Sequence, residues 1–397
     1  MTLFGKRGTS TQSTSILVST DCGGVEVIER WADAWRILCD ESVDNQPFYR
    51  PEWIAAHIRA FTPKASVLLL TVTVQGRLCL VLPLLQERTL FCGLPLRRLR
   101  APVNSHSCRF DAVRCAGAEG DLAVRALWEQ MKRRTTWDLL EFSSVPKDGT
   151  LAALAAQAEG DNYRTAQVPM LPNPYVPIPM DPLALEKLPI NKRLRTQLRS
   201  IHRELNGKRL NLQRYSEANP SVLQRFYELE SAGWKGTEGS AIVSESQTRR
   251  FYDEIAKTAE NFGFLCLYTL DLDGELLAAH FGLSYKGRYF SPKVAYNESL
   301  KQFAPGHLIV EEILRECAGR NVHEYDITGP NDEWKLKWTA QTRPHTIHFV
   351  FRRGFPGNLA HSVRFRLQPW VKKMLKKGTE SAKKTESATK SETRINP

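Results

Sequence analysis

The chain lacks the features that define several common classes of protein. It has no run of about 18 apolar residues, which a transmembrane helix would need. The segment before residue 21 has no continuous apolar core and no clear cleavage site, so a secretory signal is not expected. The eight cysteines occur singly, with no C-x-x-C pair, which fits reduced thiols rather than disulfides or a zinc site. These absences predict a cytoplasmic protein that binds no metal.

Charge is plentiful but unevenly distributed. The 397 residues carry a net charge of +12, and residues 371–397 alone hold eight Lys or Arg against three Glu. Residues 378–397 are too polar to fold and are predicted to be a disordered tail. Residues 357–377 have apolar side chains at helical spacing among basic ones. They are predicted to form a helix that either docks on the protein or contacts the inner face of an anionic membrane.

Apolar periodicity and turn residues predict alternating helices and strands. Proline is favoured in the first turn of a helix, so helices are predicted to begin at Pro51 and Pro305. A three-stranded meander is predicted over residues 264–296, with hairpin turns at its Asp-Gly and Lys-Gly dipeptides. The segment WKLKW, which ends at Trp338, alternates apolar and basic residues, and this is a strand pattern.

The order of elements predicts an α/β fold with two domains. Hairpin, helix and strand occur in this order in each half, which indicates a weak internal duplication. The sheets should be mixed and mostly antiparallel, with helices on both faces. Six prolines in VPMLPNPYVPIPMDP are interpreted as an irregular crossing between the domains. The predicted units are a flexible lead (1–20), an N-terminal domain (21–167), the crossing (168–186), a C-terminal domain (187–356), the basic helix (357–377) and the tail (378–397).

A predicted helix after the crossing carries a basic face. Arg195, Arg199 and Arg203 recur every fourth residue, so three guanidinium groups lie along one side. Like charges in this arrangement repel one another, and solvent or an anion must relieve the repulsion. The face is therefore either solvated or a contact for nucleic acid or for the seam between domains.

An ordered set of motifs in the second half resembles a known family. The meander, loop, helix and strand are similar in order to an acyl-CoA N-acyltransferase (GNAT) domain. The motifs resemble those of CelD/BcsL-type proteins, which carry a BioF2-like acetyltransferase domain and are similar in fold to the FemABX peptidyltransferases. This resemblance implies tandem GNAT-like domains, with the catalytic site in the second. The motifs are WKG (234–236), AHFGL (279–283), K-x-x-Y (293–296), PGHLIVEEI (305–313) and D-x-x-G followed by WKLKWT (326–339).

The resemblance also implies roles for individual residues. His280 is the expected general base, with a satisfied core histidine as the alternative, and Asp326 is the expected orienting or binding carboxylate. The loop before the helix at Pro305 would offer amide groups and a helix dipole to the pyrophosphate of acyl-CoA. The residues expected to bind this co-substrate are Gln302, Gly306 and His307. The residues expected to bind the acceptor are Trp234, Lys235, Lys293, Tyr296, Lys335 and Trp338, each of which is also compatible with core packing or a solvated charge.

The identities of donor and acceptor stay open in the sequence. Residues 302–307 depart from the acetyltransferase pattern Q/R-x-x-G-x-G/A, and Pro305 lacks an N–H. The resemblance implies transfer of an acyl group, expected to be acetyl, from acyl-CoA to an amine or hydroxyl of a cell-envelope or exopolysaccharide precursor. The alternatives are aminoacyl transfer from aminoacyl-tRNA, as in the FemABX relatives, and a non-catalytic scaffold in a polysaccharide synthesis complex. The sequence predicts no oligomeric state.

Overall fold

Two β-sheets form the framework of the protein. The structure is a computed structural model, and it describes residues 15–42, 44–233, 236, 238–239 and 241–369. The first sheet contains β1 (Ile16–Gly23), β2 (Ser66–Val74), β3 (Arg77–Phe91), β4 (Leu94–Arg100), β5 (Val113–Arg114), β6 (Leu139–Pro146), β7 (Arg164–Pro169) and β15 (His345–Phe351). The second contains β8 (Asn173–Pro177), β9 (Leu210–Tyr215), β10 (Leu267–Leu272), β11 (Glu275–Tyr285), β12 (Arg288–Tyr296), β13 (Glu324–Asp326) and β14 (Thr342–Arg343).

Helices pack against these sheets in both halves of the chain. The N-terminal half contributes α1 (Glu26–Glu41), α2 (Pro51–Phe61), α3 (Gly117–Arg133) and α4 (Thr150–Gly160). The C-terminal half contributes α5 (Lys192–Glu204), α6 (Pro220–Ala232), α7 (Ser246–Asn261), α8 (Pro305–Ala318), α9 (Glu333–Leu336) and α10 (Phe355–Ser362). The predicted α/β class is thereby confirmed, and α2 and α8 begin at the predicted prolines.

The two sheets have the same strand order, which reveals the internal duplication. The first sheet runs β1-β2-β3-β4-β6-β15-β7, with β5 paired to β3, and the second runs β9-β10-β11-β12-β13-β8-β14. In each sheet the fourth and fifth strands are parallel, β4 with β6 and β12 with β13. The other neighbours along both paths are antiparallel. Two tandem units of one topology are therefore present.

The two units exchange strands. β15 comes from the end of the described chain but lies between β6 and β7 of the first sheet. β8 comes from the proline-rich segment and lies between β13 and β14 of the second sheet. Prolines do not prevent this pairing, because Pro174 keeps its carbonyl, which accepts from the Ile327 N–H at 3.1 Å. The expected irregular crossing is thus wrong over residues 173–177. The expected flexible lead is wrong from Ile16, where β1 begins.

Two further comparisons with the predictions concern local structure. Both hairpins of the meander form, and Asp273, Gly274, Lys286 and Gly287 all have positive φ, as a two-residue turn that follows the strand twist requires. The WKLKW strand is wrong, because residues 333–336 form the single-turn helix α9. The predicted basic helix is in part α10, and its portion after residue 369 lies outside the described residues.

The second sheet is covered on both faces. On one face Phe290 of β12 meets Phe48 of the N-terminal half edge-on, with ring centres 5.4 Å apart. On the other face Leu194 and Leu198 of α5 and Ile309 of α8 are buried in a second cluster, which confirms the apolar stripe predicted for α5. A ligand must therefore approach this sheet at the ends of its strands. None of the described helices has the length and apolarity of a membrane span.

Candidate active site

A bulge in β12 lies beside the parallel strand β13. β13 pairs with residues 288–290 of β12, and beyond them no described strand pairs with β12 on this side. Ser291 and Pro292 of β12 lie opposite the single residue Gly282 of β11, which defines a β-bulge. A Cβ atom on residue 282 would lie 2.1 Å from Tyr289 Oη, so this close approach requires glycine. β12 therefore continues beyond the end of its pairing with β13.

A cavity of about 310 Å³ lies at this end of β12, within the size range of small-molecule sites. Its walls come from the end of β12, the first turn of α8 with the loop before it, the end of α6, and Trp334 of α9. The lining residues are Leu229, Glu230, Gly233, Val294, Ala295, Tyr296, Glu298, Lys301, Ala304, Pro305, Gly306, His307 and Trp334.

The first turn of α8 presents a positive helix end to the cavity. Ala304 caps the helix in the left-handed conformation, with φ 45° and ψ 55°, and Pro305 and Gly306 follow it. The Gly306 amide belongs to the first turn, where an N–H has no acceptor within the helix, and the helix dipole adds partial positive charge. Pro305 supplies no N–H. The predicted residues Gly306 and His307 both line the cavity, whereas Gln302 is exposed outside it.

His307 is held by a residue that does not line the cavity. Trp338 is 2% exposed, and its Nε1–H donates to His307 Nδ1 over 3.0 Å. Burial of the imidazole, followed by the charge of Lys337, lowers the pKa of His307 to about 4. His307 is therefore neutral at physiological pH. Trp338, expected to bind the acceptor, instead supports this histidine.

Glu230 is a buried carboxylate in the part of the cavity wall that comes from α6. Its side chain is fully buried near the end of α6, and its Oε2 accepts from the Ile242 N–H at 2.8 Å. The ammonium of Lys293 lies 3.8 Å from Glu230 Oε1 and 5.7 Å from the centre of the Tyr252 ring. Tyr252 Oη in turn contacts His106 Nδ1 of the N-terminal half at 3.3 Å. Lys293, expected to bind the acceptor, is thus a neighbour of the cavity's carboxylate.

His280 and Asp326 are not brought together. His280 Nδ1 contacts Ser291 Oγ at 3.1 Å and Tyr325 Oη at 3.4 Å, on the face of the sheet that α8 covers. Asp326 follows Tyr325 along β13 and therefore faces the other side. Neither residue lines the cavity. The predicted pairing of a histidine base with this carboxylate is therefore not present.

Asp326 joins the two halves of the protein. Its Oδ2 lies 2.8 Å from Arg109 Nη1, its Oδ1 accepts from Arg109 Nη2 at 3.0 Å, and both side chains are 0% exposed. Its Oδ1 also accepts from the Thr328 N–H at 2.9 Å. Burial disfavours the charge of Arg109, but the Asp326 carboxylate outweighs burial and raises the pKa of the guanidinium. Asp326 Oδ2 also accepts from Nη1 of the partly exposed Arg343 at 3.4 Å, so Asp326 forms a buried interdomain ion pair with a second arginine beside it.

The remaining predicted acceptor residues have different environments. Tyr296 lines the cavity as expected. Lys335 is buried, and its ammonium donates to the carbonyls of Thr328 and Pro330 at 3.0 and 2.8 Å and pairs with Asp332 at 3.0 Å. Its three N–H groups are thus engaged in holding the D-x-x-G loop. Trp234 and Lys235 lie outside the described residues.

Sequence reasoning missed three charged residues of the cavity. Glu230, Glu298 and Lys301 line it, yet none belongs to a motif of the resemblance. Glu298 and Lys301 immediately precede the PGH loop, so proximity in the chain was an available signal. Glu230 has no such signal, because an acidic residue near the end of a helix is ordinary on a protein surface.

Comparisons with known proteins agree with this geometry. Residues 192–336 match the family model described as Acetyltransferase (GNAT) domain. This part of the chain is therefore similar to a GNAT acetyltransferase domain. No curated protein gave a significant match. The matched range holds α8, the bulged strand β12 and every residue that lines the cavity. The protein is an acyltransferase.

Solved structures extend the similarity to the whole fold. The crystal structure of FemX has a TM-score of 0.56 and 11% identity over 81% of this chain and 96% of that one. The C-terminal domain (DUF2156) of a putative lysylphosphatidylglycerol synthetase from Agrobacterium fabrum has a TM-score of 0.50 and 12% identity over 86% and 95%. Identities this low demonstrate a shared fold and nothing about substrates. The CelD/BcsL subtype stays a prediction.

Proposed function

We propose that this acyltransferase moves an acyl group, preferably acetyl, from acyl-CoA to an amine or hydroxyl of a cell-envelope or exopolysaccharide precursor. The observation that carries the proposal is the cavity between the end of β12 and the first turn of α8, with Glu230 of α6 among its lining residues. One wall offers hydrogen-bond donors to an anionic donor substrate. The other offers a proton acceptor to the nucleophile.

The donor wall suits a phosphate-bearing thioester. The Gly306 amide and the dipole of α8 favour negative charge at this end, and Lys301 adds a cation. When bound, acyl-CoA supplies the activated acyl group. Pro305 reduces the number of backbone donors by one, so the site must rely more on side chains than the usual acetyltransferase loop does.

We assign the acceptance of the nucleophile's proton to Glu230, the fully buried carboxylate among the residues that line the cavity. As the acceptor nitrogen or oxygen attacks the acyl carbon, the new C–N or C–O bond forms and the C–S bond breaks. The proton of the nucleophile passes to the Glu230 carboxylate, and CoA leaves as the thiolate. Burial of Glu230 and the fixed Ile242 contact hold the carboxylate in one position. General base catalysis of this kind contributes about 10²–10⁴-fold.

The acceptor class rests on fewer observations. Tyr296 and Trp334 present aromatic surfaces in the cavity, which suits stacking on the apolar face of a sugar. The link to envelope or exopolysaccharide chemistry comes from the family resemblance of the motifs alone. The cavity also gives a scaffold role no support, since a scaffold needs no cavity lined by both a buried carboxylate and a helix N-terminus.

Aminoacyl-tRNA is the second candidate donor, and two observations favour it. Pro305 removes a backbone donor from the loop that would bind pyrophosphate. Arg199 and Arg203 are exposed on α5, so part of the predicted basic face is available to a nucleic-acid backbone, whereas Arg195 is engaged with the Leu188 carbonyl.

Thermal unfolding with and without acetyl-CoA tests the proposal. A ligand at about 100 times its dissociation constant stabilises the folded state by about 2.7 kcal/mol, which raises the midpoint of wild type. Gly306→Trp should abolish the shift, because the indole would fill the cavity beside Tyr296. Gly160→Trp is the matched control, since a side chain there meets open space at the end of α4. If no acyl-CoA raises the unfolding midpoint and aminoacyl-tRNA does bind, aminoacyl-tRNA would replace acyl-CoA as the proposed donor.

A further inference from the structure

The contact between Trp338 and His307 determines which nitrogen of the imidazole carries its proton. An indole N–H can only donate, so the His307 Nδ1 that accepts it at 3.0 Å must be unprotonated. In the neutral ring the proton therefore lies on Nε2, which becomes a hydrogen-bond donor. His307 lines the cavity while its Nδ1 side is turned to Trp338, so Nε2 is the nitrogen left for a ligand.

The groups around His307 oppose a second proton. Protonation of Nδ1 would set two N–H groups against each other and break the contact with Trp338. Burial and Lys337 disfavour the cation, and the positive end of α8 acts in the same direction. The other charged groups of the cavity are Glu230, Glu298 and Lys301, so two carboxylates and one further cation face the same space. The neutral Nε2–H form should persist well below pH 6.5.

We propose that Trp338 is a positioning residue that holds His307 as a neutral Nε2–H donor to a phosphate oxygen of the acyl donor. The inference rests on the proposed function, because it requires acyl-CoA at the first turn of α8. The physical reason lies in the neighbouring proline. Pro305 removes one backbone N–H from this turn, and the His307 side chain, two residues on, restores a donor at the same helix end. Gly306 N–H and His307 Nε2–H would then receive the pyrophosphate together.

The first experiment examines the histidine without any ligand. Long-range ¹H–¹⁵N spectra of wild type and His307→Gln identify the His307 signals by difference. We expect the Nε2–H tautomer, unchanged from pH 8 to pH 5.5. Trp338→Phe should give mixed tautomers that titrate closer to the ordinary value of about 6.5. A wild-type His307 that titrates near pH 6.5, or that carries its proton on Nδ1, would overturn the proposal.

The second experiment examines the phosphate contact with two probes. Both probes carry the thioester, but only acetyl-CoA carries the pyrophosphate. The difference between their dissociation constants therefore measures the contribution of the pyrophosphate to binding. His307→Leu should weaken acetyl-CoA by about tenfold and leave S-acetyl-pantetheine unchanged, because one hydrogen bond to a charged group is lost. His307→Gln keeps a side-chain N–H donor and should bind both probes nearly as wild type does.

The outcomes distinguish this inference from the proposed function. Equal weakening of both probes by His307→Leu would mean that His307 does not contact the phosphate, although acyl-CoA still binds. Failure of wild type to bind either probe would overturn the proposed donor and the phosphate contact together. Trp338→Phe replaces a large buried side chain by a smaller one, and the cavity left behind could unfold the domain. The His307 variants provide a test that does not depend on that variant.

Discussion

Replacement of Asp326 by asparagine should destabilise the protein strongly and leave its chemistry intact. The carboxylate neutralises Arg109 at the junction of the two halves, where both side chains are fully buried. The neutral amide of the Asp326→Asn variant would leave the guanidinium with no buried counter-charge in this pair, beside the uncharged Gln46, whose Oε1 accepts from Arg109 Nη1 at 2.9 Å. Breaking a buried pair by removing one partner costs roughly 3–5 kcal/mol, because the remaining charge is uncompensated.

Urea unfolding followed by tryptophan fluorescence measures this loss. Asp121→Asn is the matched control, because Asp121 is 60% exposed and pairs with Arg114 at 3.1 Å. A surface pair of this kind contributes at most about 1 kcal/mol, so the control should unfold nearly as wild type does. The double variant Arg109→Met with Asp326→Leu should recover most of the stability, since no unpaired charge is then buried.

The same variants decide between a structural and a catalytic Asp326. If the structural assignment is correct, turnover per folded molecule of Asp326→Asn stays within a few-fold of wild type under conditions where the variant is folded. Unchanged stability with a hundredfold loss of turnover would refute the reasoning. It would restore Asp326 to the catalytic role that the sequence motifs imply.

Three further predictions follow from the site, the buried histidines and the C-terminus. Glu230→Gln should lower kcat by about 10²–10⁴-fold without changing the affinity for acetyl-CoA. Glu228 is exposed on the same helix, so Glu228→Gln should change neither quantity. A larger dissociation constant with normal kcat would contradict the base assignment. Burial, followed by the charge of Arg109, lowers the pKa of His345 to about 4, so the unfolded chain takes up its proton first as pH falls below 6.5. His345→Gln should therefore reduce the slope of unfolding free energy against pH by about 1.4 kcal/mol per pH unit between pH 6.5 and 4. Urea titrations at several pH values measure this slope. An unchanged slope would argue against a neutral buried ring. A chain ending at residue 369 should bind vesicles containing anionic phosphatidylglycerol more weakly than the full chain, because it lacks the net charge of +5 carried by residues 371–397. The difference should be largest at low salt. Equal co-sedimentation of both chains with the vesicles would refute the predicted membrane contact.

The sequence allowed much of the local structure to be predicted, because its signals act over a few residues. Pro51 and Pro305 begin helices because their fixed φ suits the first turn, and the Asp-Gly and Lys-Gly turns form hairpins because positive φ is needed there. The same local reasoning failed at WKLKW. Five residues are too few to distinguish a strand period from a helical one, and the buried Lys335 is fixed by carbonyls of the preceding loop.

The candidate site was predicted in part. Gly306, His307 and Tyr296 were found because each belongs to a short motif that can be read directly from the sequence, PGH or K-x-x-Y. Both segments line the cavity. Glu230 was missed because nothing in the α6 sequence shows that its last turn faces β12. The strand exchange of β8 and β15 was also missed, since pairing partners far apart in the chain leave no local signal.

The sequence by itself determined the α/β class, the repeated element order and the glycine and proline positions that shape the helix end of the site. Tertiary structure alone decided what the charged and aromatic side chains do. Arg109 meets Asp326 across 217 positions of the chain, and Trp338 meets His307 across 31. A side chain's role as base, donor or structural ion depends on the groups packed around it, and the fold brings those groups together from distant segments.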